Sequence, residues 1–176
     1  MSESSIKHKK EAPKKAKVAI ITCSDSIYSS LKSGKKKLDV SGDVIEETFK
    51  KEGHEIHSRT LLPDNLVLIR EKVKDLLYSK DVDVIVITGG TGVTSKDVTV
   101  EAVKTLFEKE LPGFGELFRK LSYEKIGSAA ILSRATAGVS RSKIIFCLPG
   151  SPDGVRLALN SLIIPEVTHL VKHARE

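Results

Sequence analysis

Two aspartates and a run of glycines follow apolar segments of this chain. Gly89-Gly90-Thr91-Gly92 comes directly after one apolar segment, and Asp97 lies five residues beyond it. Asp64 follows a second apolar segment. Glycines after a strand let backbone N–H groups point at a ligand, and phosphate suits such a concavity. Mg²⁺ is commonly held by one or two carboxylates together with substrate phosphates. These residues therefore predict a Mg²⁺–nucleotide site and nucleotidyl transfer at an α-phosphate.

The same residues also have purely structural interpretations. An isolated Gly-Gly-Thr-Gly segment is typical of a tight turn that needs positive φ. Asp64 and Asp97 each precede a predicted helix, and either side chain could cap that helix. A P-loop would end in Gly-Lys-Ser or Gly-Lys-Thr, and a dinucleotide fingerprint would read GxGxxG, but neither pattern follows the apolar segment. A nucleotide site here would need a cation in place of the P-loop lysine.

The histidines do not form a recognisable catalytic pattern. His54 and His57 are three residues apart within a predicted strand, so their side chains would face opposite sides. His169 and His173 lie one helical turn apart in the segment HLVKH, which lacks the glutamate of the zinc motif HExxH. We therefore expect no metal role for the histidines. The GxSxG nucleophile elbow is also absent from the sequence.

The elements that must position these residues alternate between strands and helices. Apolar segments rich in β-branched residues predict strands at 18–22, 54–62, 82–88 and 143–148. Apolar residues at helical spacing predict helices at about 41–52, 64–79, 99–107, 116–125 and 153–176, with Ser41 capping the first and Pro165 bending the last. The remaining predictions are a long loop at 24–39, a break at 112–115, and an ambiguous strand or turn at 128–140.

This alternation indicates an α/β fold with three layers, in which a doubly wound, mostly parallel sheet carries helices on both faces. Ligands of such folds bind beyond the carboxyl ends of the strands. Four loops follow the predicted strands at that edge, and they contain Ser24-Asp25, Asp64, Gly89 to Gly92, and Gly150-Ser151-Pro152. We expect these four loops to meet at one rim of the sheet.

Composition adds broad limits to this prediction. The chain has 176 residues, 40% of them hydrophobic, and no apolar run approaches the length of a membrane span. Its start lacks the apolar core of a secretory signal. We therefore predict a soluble cytoplasmic protein with a single domain at 18–176. Cys23 and Cys147 lie in apolar segments, which predicts buried, reduced thiols.

The net charge of +6 is unevenly distributed along the chain. Residues 1–17 carry six lysines against two glutamates, a net of +4, so we predict a basic, flexible tail there. Lys35, Lys36 and Lys37 form a second basic cluster, either a solvated loop or a guide for polyanions. Because most of the excess charge lies in the tail, nucleic-acid binding is not expected.

Four motifs, in order and with compatible spacing, resemble the MoaB/Mog family of molybdenum cofactor biosynthesis, which includes the G domain of gephyrin-type proteins. They are TGGTGVTSKDVTVEAV, LPGFGELFR, AAILSRATAGV and LPGSPDGVRLAL. The resemblance covers nearly all of Val18 to Val171. It implies Mg²⁺-dependent adenylylation of molybdopterin by ATP, which yields adenylyl-molybdopterin and pyrophosphate. A non-catalytic protein of the same pathway, binding molybdopterin or acting as a scaffold, remains the alternative.

The resemblance also implies roles for individual residues. Asp64 in LLPDN and Asp97 in SKDVT match two aspartates important for the reaction, and both would hold Mg²⁺. The glycine loop would hold the nucleotide phosphates. The other positions that the resemblance places at the substrate site are Ser41, Gly42, Thr99, Glu116, Ser133, Arg134, Gly150, Ser151 and Pro152. The resemblance further implies a homo-oligomer, a trimer or a hexamer, and a downstream partner that receives the product for metal insertion.

Some of these positions have structural alternatives. The segment Pro112 to Gly115 could shape a turn without contacting the substrate, and Arg134 could pair with a buried carboxylate.

Overall fold

A six-stranded sheet runs through the part of the chain that the computed structural model describes, residues 12–34 and 37–176. Its strands are β1 (Lys17–Cys23), β2 (Glu55–Leu62), β3 (Val84–Thr88), β4 (Lys109–Glu110), β5 (Thr136–Ser140) and β6 (Lys143–Leu148), in the order β2-β1-β3-β6-β5-β4. The pairs among β2, β1, β3 and β6 are parallel, whereas β5 and β4 pair antiparallel. The predicted mostly parallel sheet is confirmed.

Helices cover both faces of this sheet. They are α1 (Asp25–Lys32), α2 (Val40–Lys51), α3 (Leu66–Tyr78), α4 (Thr99–Lys104), α5 (Pro112–Ile126), α6 (Pro152–Ala158) and α7 (Val167–Arg175). A 3₁₀ segment (Gly127–Leu132) follows α5, and a π-helical segment (Leu159–Ile163) follows α6. Helices α2, α5, α6 and α7 pack on one face, and α3 and α4 pack on the other. The predicted three-layer α/β fold is therefore confirmed.

The central strands are buried because helices lie on both sides of them. All five residues of β3 are buried. Ile20 and Val86 point into the apolar cluster on one face, while their neighbours Ile21 and Ile87 point into the cluster on the other. Strands covered on both faces read as continuous apolar runs, which is why the sequence predicted them.

The predicted long loop at 24–39 was wrong, because it contains helix α1. Ser24 caps this helix by accepting a hydrogen bond from the N–H of Ile27, at 3.4 Å. None of the residues of α1 is fully buried. The helix has only eight residues, which is too short a stretch to show the apolar period on which the prediction depended.

The starts of two further helices differ from the predictions. Helix α2 begins after Asp39, whose carboxylate accepts the N–H of Gly42 at 2.9 Å, so Ser41 is not its cap. Residues 112–115 form the first turn of α5 and do not break the chain. Pro112 suits that first turn because its missing N–H has no partner there in any helix.

The predicted last helix is interrupted. Helix α6 passes into the π-helical segment, and α7 begins only at Val167, after Pro165. The predicted bend at Pro165 therefore corresponds to a break between two helical segments. The ambiguous segment 128–140 divides into most of the 3₁₀ segment and strand β5.

Two predictions fall wholly or partly beyond the described residues. Lys35, Lys36 and residues 1–11 of the predicted basic tail lie outside the described ranges.

Cys23 and Cys147 are buried free thiols, as predicted. Within the described ranges, every helix is too short or too polar to cross a membrane.

Candidate functional site

The carboxyl ends of β1, β2, β3 and β6 open into a cavity of about 650 Å³. The loops after all four strands contribute to its lining, so the expected convergence of these loops is present. Polar and glycine residues from the loops in this lining are Ser24, Asp64, Gly89, Gly90, Thr91, Gly92, Lys96, Asp97, Ser133, Gly150 and Ser151. The two aspartates singled out from the sequence thus share one cavity with the glycine loop.

Gly89 and Gly90 can be replaced by no other residue type without strain. Their φ angles are +97° and +65°, a region that residues with a Cβ rarely adopt. A Cβ on Gly89 would collide with the carbonyl of Cys23, and one on Gly90 would collide with Oγ1 of Thr99. The turn interpretation of the glycines is therefore correct, and it leaves the turn facing the cavity.

Asp97 is held by its own loop. Its Oδ2 accepts hydrogen bonds from the N–H of Thr94 at 2.9 Å and from the hydroxyl of Thr94 at 2.6 Å. Helix α4 begins after Val98 without a side-chain cap, so the capping interpretation of Asp97 was wrong. Burial opposes ionisation, but the hydrogen bonds from Thr94 outweigh it and keep the pKa of Asp97 below its usual value. Asp97 therefore offers a charged carboxylate.

Asp64 is locked to Asp25 through a reciprocal pair of hydrogen bonds. The N–H of Asp25 donates to Asp64 Oδ2 at 2.9 Å, and the N–H of Asp64 donates to Asp25 Oδ1 at 3.1 Å. Asn65 caps α3, so the capping interpretation of Asp64 was also wrong. Burial is the main cause that raises the pKa of Asp64, and the charges of Asp25 and Asp97 add to it.

The donor set of the cavity fits a hard divalent cation. Two carboxylates offer oxygen ligands, which Mg²⁺ prefers, and their mutual repulsion would be relieved by a cation between them. Asp64 Oδ1 lies 3.3 Å from the position that a Cβ on Gly90 would take, so this carboxylate borders the glycine turn. No group of three or more candidate ligands forms among residues 12–34 and 37–176. Substrate phosphates and water would complete such a coordination shell.

One wall of the cavity is apolar, and sequence reasoning did not identify it. It is formed by Phe118, Ile126, Ala129, Ala130, Leu132 and Leu157. Ile126 and Leu132 remain 61% and 55% exposed, so this wall is open to a ligand. The sequence signal for this wall is the apolar segment AAIL at 129–132, whose pattern is ambiguous between a strand and a turn. Apolar surface beside polar loops suits a ring system with a charged substituent.

Arg134 lies behind the cavity, where it supports the loop. Its Nε donates to the carbonyl of Gly92 at 2.6 Å, and its Nη2 donates to the carbonyl of Asp97 at 2.9 Å. The guanidinium also pairs with Glu101. The carboxylate of Glu101 is exposed, so the prediction that Arg134 could pair with a carboxylate is correct, but the prediction that this carboxylate is buried was wrong. Arg134 ties the two ends of the segment 92–97 to helix α4.

The remaining predicted residues lie around the cavity at different depths. Ser41 donates to the carbonyl of Gly150 at 2.7 Å and, with Pro152, lines a smaller neighbouring cavity of about 240 Å³. Thr99 is fully buried beneath Gly90. Glu116 is exposed and does not line either cavity. Gly42 packs against Asp39 and Arg59, away from the main cavity.

The glycine turn and the two carboxylates lie beyond the carboxyl ends of the parallel strands, which is the edge where α/β proteins of this class bind their ligands. Residues 19–169 match the family described as the probable molybdopterin binding domain. The chain belongs to this family, and the resemblance drawn from the four motifs is confirmed.

Relatives of similar length support this assignment. Molybdenum cofactor biosynthesis protein B of Bacillus cereus is 44% identical over 164 residues, which cover 93% of each chain. Molybdopterin adenylyltransferase of Pyrococcus furiosus is 43% identical over 173 residues, covering 96% of this chain and 97% of the relative. A crystal structure of a molybdenum cofactor biosynthesis protein B has a TM-score of 0.84 at 41% identity, covering 94% of this chain and 99% of the other.

Proposed function

We propose that this chain is a molybdopterin adenylyltransferase of molybdenum or tungsten cofactor biosynthesis. The observation that carries this proposal is the placement of Asp64 and Asp97. Neither carboxylate caps a helix, and both line one cavity with the glycine turn. The name of the Pyrococcus furiosus relative supports the same reaction. The reaction joins the phosphate of molybdopterin to the AMP moiety of ATP.

The chemistry is a displacement at phosphorus. A phosphate oxygen of molybdopterin attacks the α-phosphorus of ATP, the bond from that phosphorus to the bridging oxygen of the β-phosphate breaks, and pyrophosphate leaves. Asp64 and Asp97 would hold Mg²⁺, and the bound ion would supply positive charge that offsets the negative charge of the phosphates. The turn at Gly89 to Gly92 receives the phosphates, and Lys96 and Lys125 line the same cavity as cationic side chains.

The apolar wall gives the cavity a place for rings. Phe118, Ile126 and Leu132 lie in the same cavity as the two aspartates. The pterin or the adenine can pack on this wall while its phosphate lies at the loops, so binding of the rings orients the reacting groups. Ser133 and the loop Gly150 to Ser151 contribute hydrogen-bonding groups at the edge of the wall.

The decisive experiment is the substitution Asp97→Asn. Pyrophosphate release from ATP is measured with purified molybdopterin and Mg²⁺, together with formation of adenylyl-molybdopterin. We expect a reduction of about 100-fold or more, because an amide removes one charged ligand while keeping the shape of the side chain. Asp75→Asn, at an exposed position on α3, is the matched control and retains full activity.

Two outcomes would contradict the proposal. Full turnover by the Asp97→Asn variant would show that this carboxylate is not needed. Tight binding of molybdopterin by the wild type without any pyrophosphate release, at saturating ATP and Mg²⁺, would favour the non-catalytic binding protein.

We further propose that the chain works in the cytoplasm as a homo-oligomer, a trimer or a hexamer, and passes its product to a partner that inserts the metal. Exposed apolar side chains on α5 and the following 3₁₀ segment support an interface between copies. They include Leu117, Tyr123, Ile126, Ile131 and Leu132.

A further inference from the structure

The last helix carries a pair of histidines whose rings face one another. His169 and His173 lie one turn apart on α7, and their Nε2 atoms are 2.9 Å apart. The Nδ1 of His169 is 3.0 Å from a carboxylate oxygen of Glu166, and the Nδ1 of His173 is 3.0 Å from a carboxylate oxygen of Glu176. Each ring is thus fixed on one side by a carboxylate and presents its other nitrogen to the neighbouring ring.

The hydrogen bonds define which nitrogen carries the proton. An ionised carboxylate only accepts hydrogen bonds, so the Nδ1 atoms of His169 and His173 are the donors. When both rings are neutral, each Nε2 is left with a lone pair, and the two lone pairs meet at 2.9 Å. Such a contact is repulsive until a positively charged species lies between the two nitrogens. A metal ion bound by both nitrogens would remove the repulsion.

We propose that His169 and His173 form a binding site for a borderline divalent transition-metal ion, Cu²⁺ or Ni²⁺ in preference to Zn²⁺. At an imidazole–metal distance of about 2.1 Å, two nitrogens at the observed separation subtend an angle of about 90° at the metal. A tetrahedral angle would require a separation of about 3.4 Å by the same geometry. An angle near 90° suits the tetragonal sites of Cu²⁺ and Ni²⁺.

The surroundings of the pair support this assignment. Histidines that bind metals usually donate their other N–H to a carboxylate or carbonyl, which fixes the ring and makes it a better ligand, and Glu166 and Glu176 fill that role. The side chains of His169 and His173 are 21% and 45% exposed, so an ion can reach them. Lys172 is drawn toward Glu176, at 3.8 Å, which limits its repulsion of a cation.

The sequence pattern had excluded a metal role here because the segment lacks the glutamate of HExxH. That glutamate acts as a base in catalysis, whereas binding alone requires two imidazoles on one helical face. Metal binding at this pair is therefore independent of the adenylyltransferase proposal, and its test does not involve enzyme activity.

Calorimetric titration of the full chain with Ni²⁺ tests the site. Excess Mg²⁺ is kept in the buffer so that the carboxylates of the cavity do not contribute. We expect one Ni²⁺ per chain and a thermal midpoint that rises with Ni²⁺, since an ion bound only by the folded state stabilises it. The double variant His169→Gln, His173→Gln should lose both effects. His57→Gln, at an exposed position on β2, should retain both.

Two further measurements test the role of Glu166 and identify the histidines that bind the ion. Glu166→Gln should weaken Ni²⁺ binding about 10-fold, because the second hydrogen-bonding partner of a metal ligand typically contributes this much. In a Zn²⁺ titration followed by NMR, the ring signals of His169 and His173 should shift while those of His57 stay unchanged. Unchanged Ni²⁺ binding by the double variant would overturn the proposal. So would a wild type that binds no Ni²⁺.

Discussion

Arg134 shows how a residue outside the cavity can determine the geometry within it. Its guanidinium donates hydrogen bonds to the carbonyls of Gly92 and Asp97, which begin and end the loop that carries the Asp97 carboxylate. The ion pair with Glu101 fixes the guanidinium to helix α4. Because the hydrogen-bonded partners are backbone atoms, Arg134 acts on the position of Asp97 and not on the substrate. Arg134 is therefore a positioning residue in the proposed reaction.

The substitution Arg134→Met tests this role. Without the contacts that Arg134 makes with Gly92, Asp97 and Glu101, the loop from Gly92 to Asp97 can shift. A displacement of about 1 Å at a reacting group can reduce the rate about 100-fold. We expect kcat to fall about 10-fold to 100-fold with a smaller change in the KM for ATP, measured by pyrophosphate release. Arg141→Met removes an arginine that packs on Tyr78, and serves as the control. An unchanged kcat in Arg134→Met would count against the positioning role.

At the scale of elements, the sequence predicted most of what the strands determine. Strands β1, β3 and β6 are buried on both faces, so their residues form unbroken apolar runs that are visible without a structure. Parallel order then placed the loops after them at one edge, together with the loop after β2 that carries Asp64, which is why Asp64 and Asp97 could be predicted to meet the glycine turn.

Elements that depend on polar contacts could not be predicted in the same way. Helix α1 buries none of its residues fully, and its start is set by Ser24. The cap of α2 is Asp39, although Ser41 two residues later is an equally good capping residue type. The apolar wall was missed because Phe118 and Leu157 come from helices far apart in sequence. Contacts between distant residues leave no periodic pattern in the sequence.

The joint between α2 and β2 contains a buried histidine. His54 accepts a hydrogen bond from the N–H of Ala16 through Nδ1, at 3.2 Å, and its ring lies edge-on to Phe49. Burial lowers the pKa of His54, and the nearby charge of Glu52 only partly opposes this shift. The neutral ring is therefore the form that fits the folded protein, and the joint connects the start of β1 to the end of α2.

This joint makes the stability of the fold depend on pH. The unfolded chain binds a proton at His54 more readily than the folded protein does, so stability increases with pH in this range. The contribution of His54 is complete above about pH 6.5, the usual pKa of histidine, and is lost as the pH falls through the lower pKa of the folded state. We expect the free energy of unfolding to be lower at pH 5.5 than at pH 7.5 in urea titrations.

The variant His54→Asn isolates this contribution. Asparagine can accept the same hydrogen bond but does not titrate. It should be less stable than the wild type by about 1–2 kcal/mol at pH 7.5, because the ring packing is lost. The difference in the free energy of unfolding between the wild type and His54→Asn should be smaller at pH 5.5. A gap of equal size at both pH values would show that protonation of His54 does not limit stability.

At the scale of the whole molecule, exposed apolar side chains are concentrated on α5 and the 3₁₀ segment that follows it. Ile131 is 81% exposed and Tyr123 is 64% exposed, and Leu117 and Leu132 lie on the same stretch of chain. Contiguous apolar surface on a folded protein usually marks a site of interaction. Because Leu132 also lines the cavity, an interface here would place the apolar wall next to a second copy of the chain.

The substitution Ile131→Glu tests whether this surface joins the copies of the proposed homo-oligomer. A charge at the centre of an apolar interface must be buried without a partner, which is strongly unfavourable. We expect light scattering after gel filtration to give the mass of a trimer or a hexamer for the wild type and a smaller species for Ile131→Glu. The control is Val67→Glu, since Val67 is 61% exposed on α3, on the other face of the sheet, and should not change the mass. A wild type with the mass of one chain, or an Ile131→Glu variant with the mass of the wild type, would show that the exposed apolar stretch does not hold copies together.

If the smaller species forms and also loses pyrophosphate release, the cavity depends on the neighbouring copy. Retained release by that species would show that each copy contains a complete site.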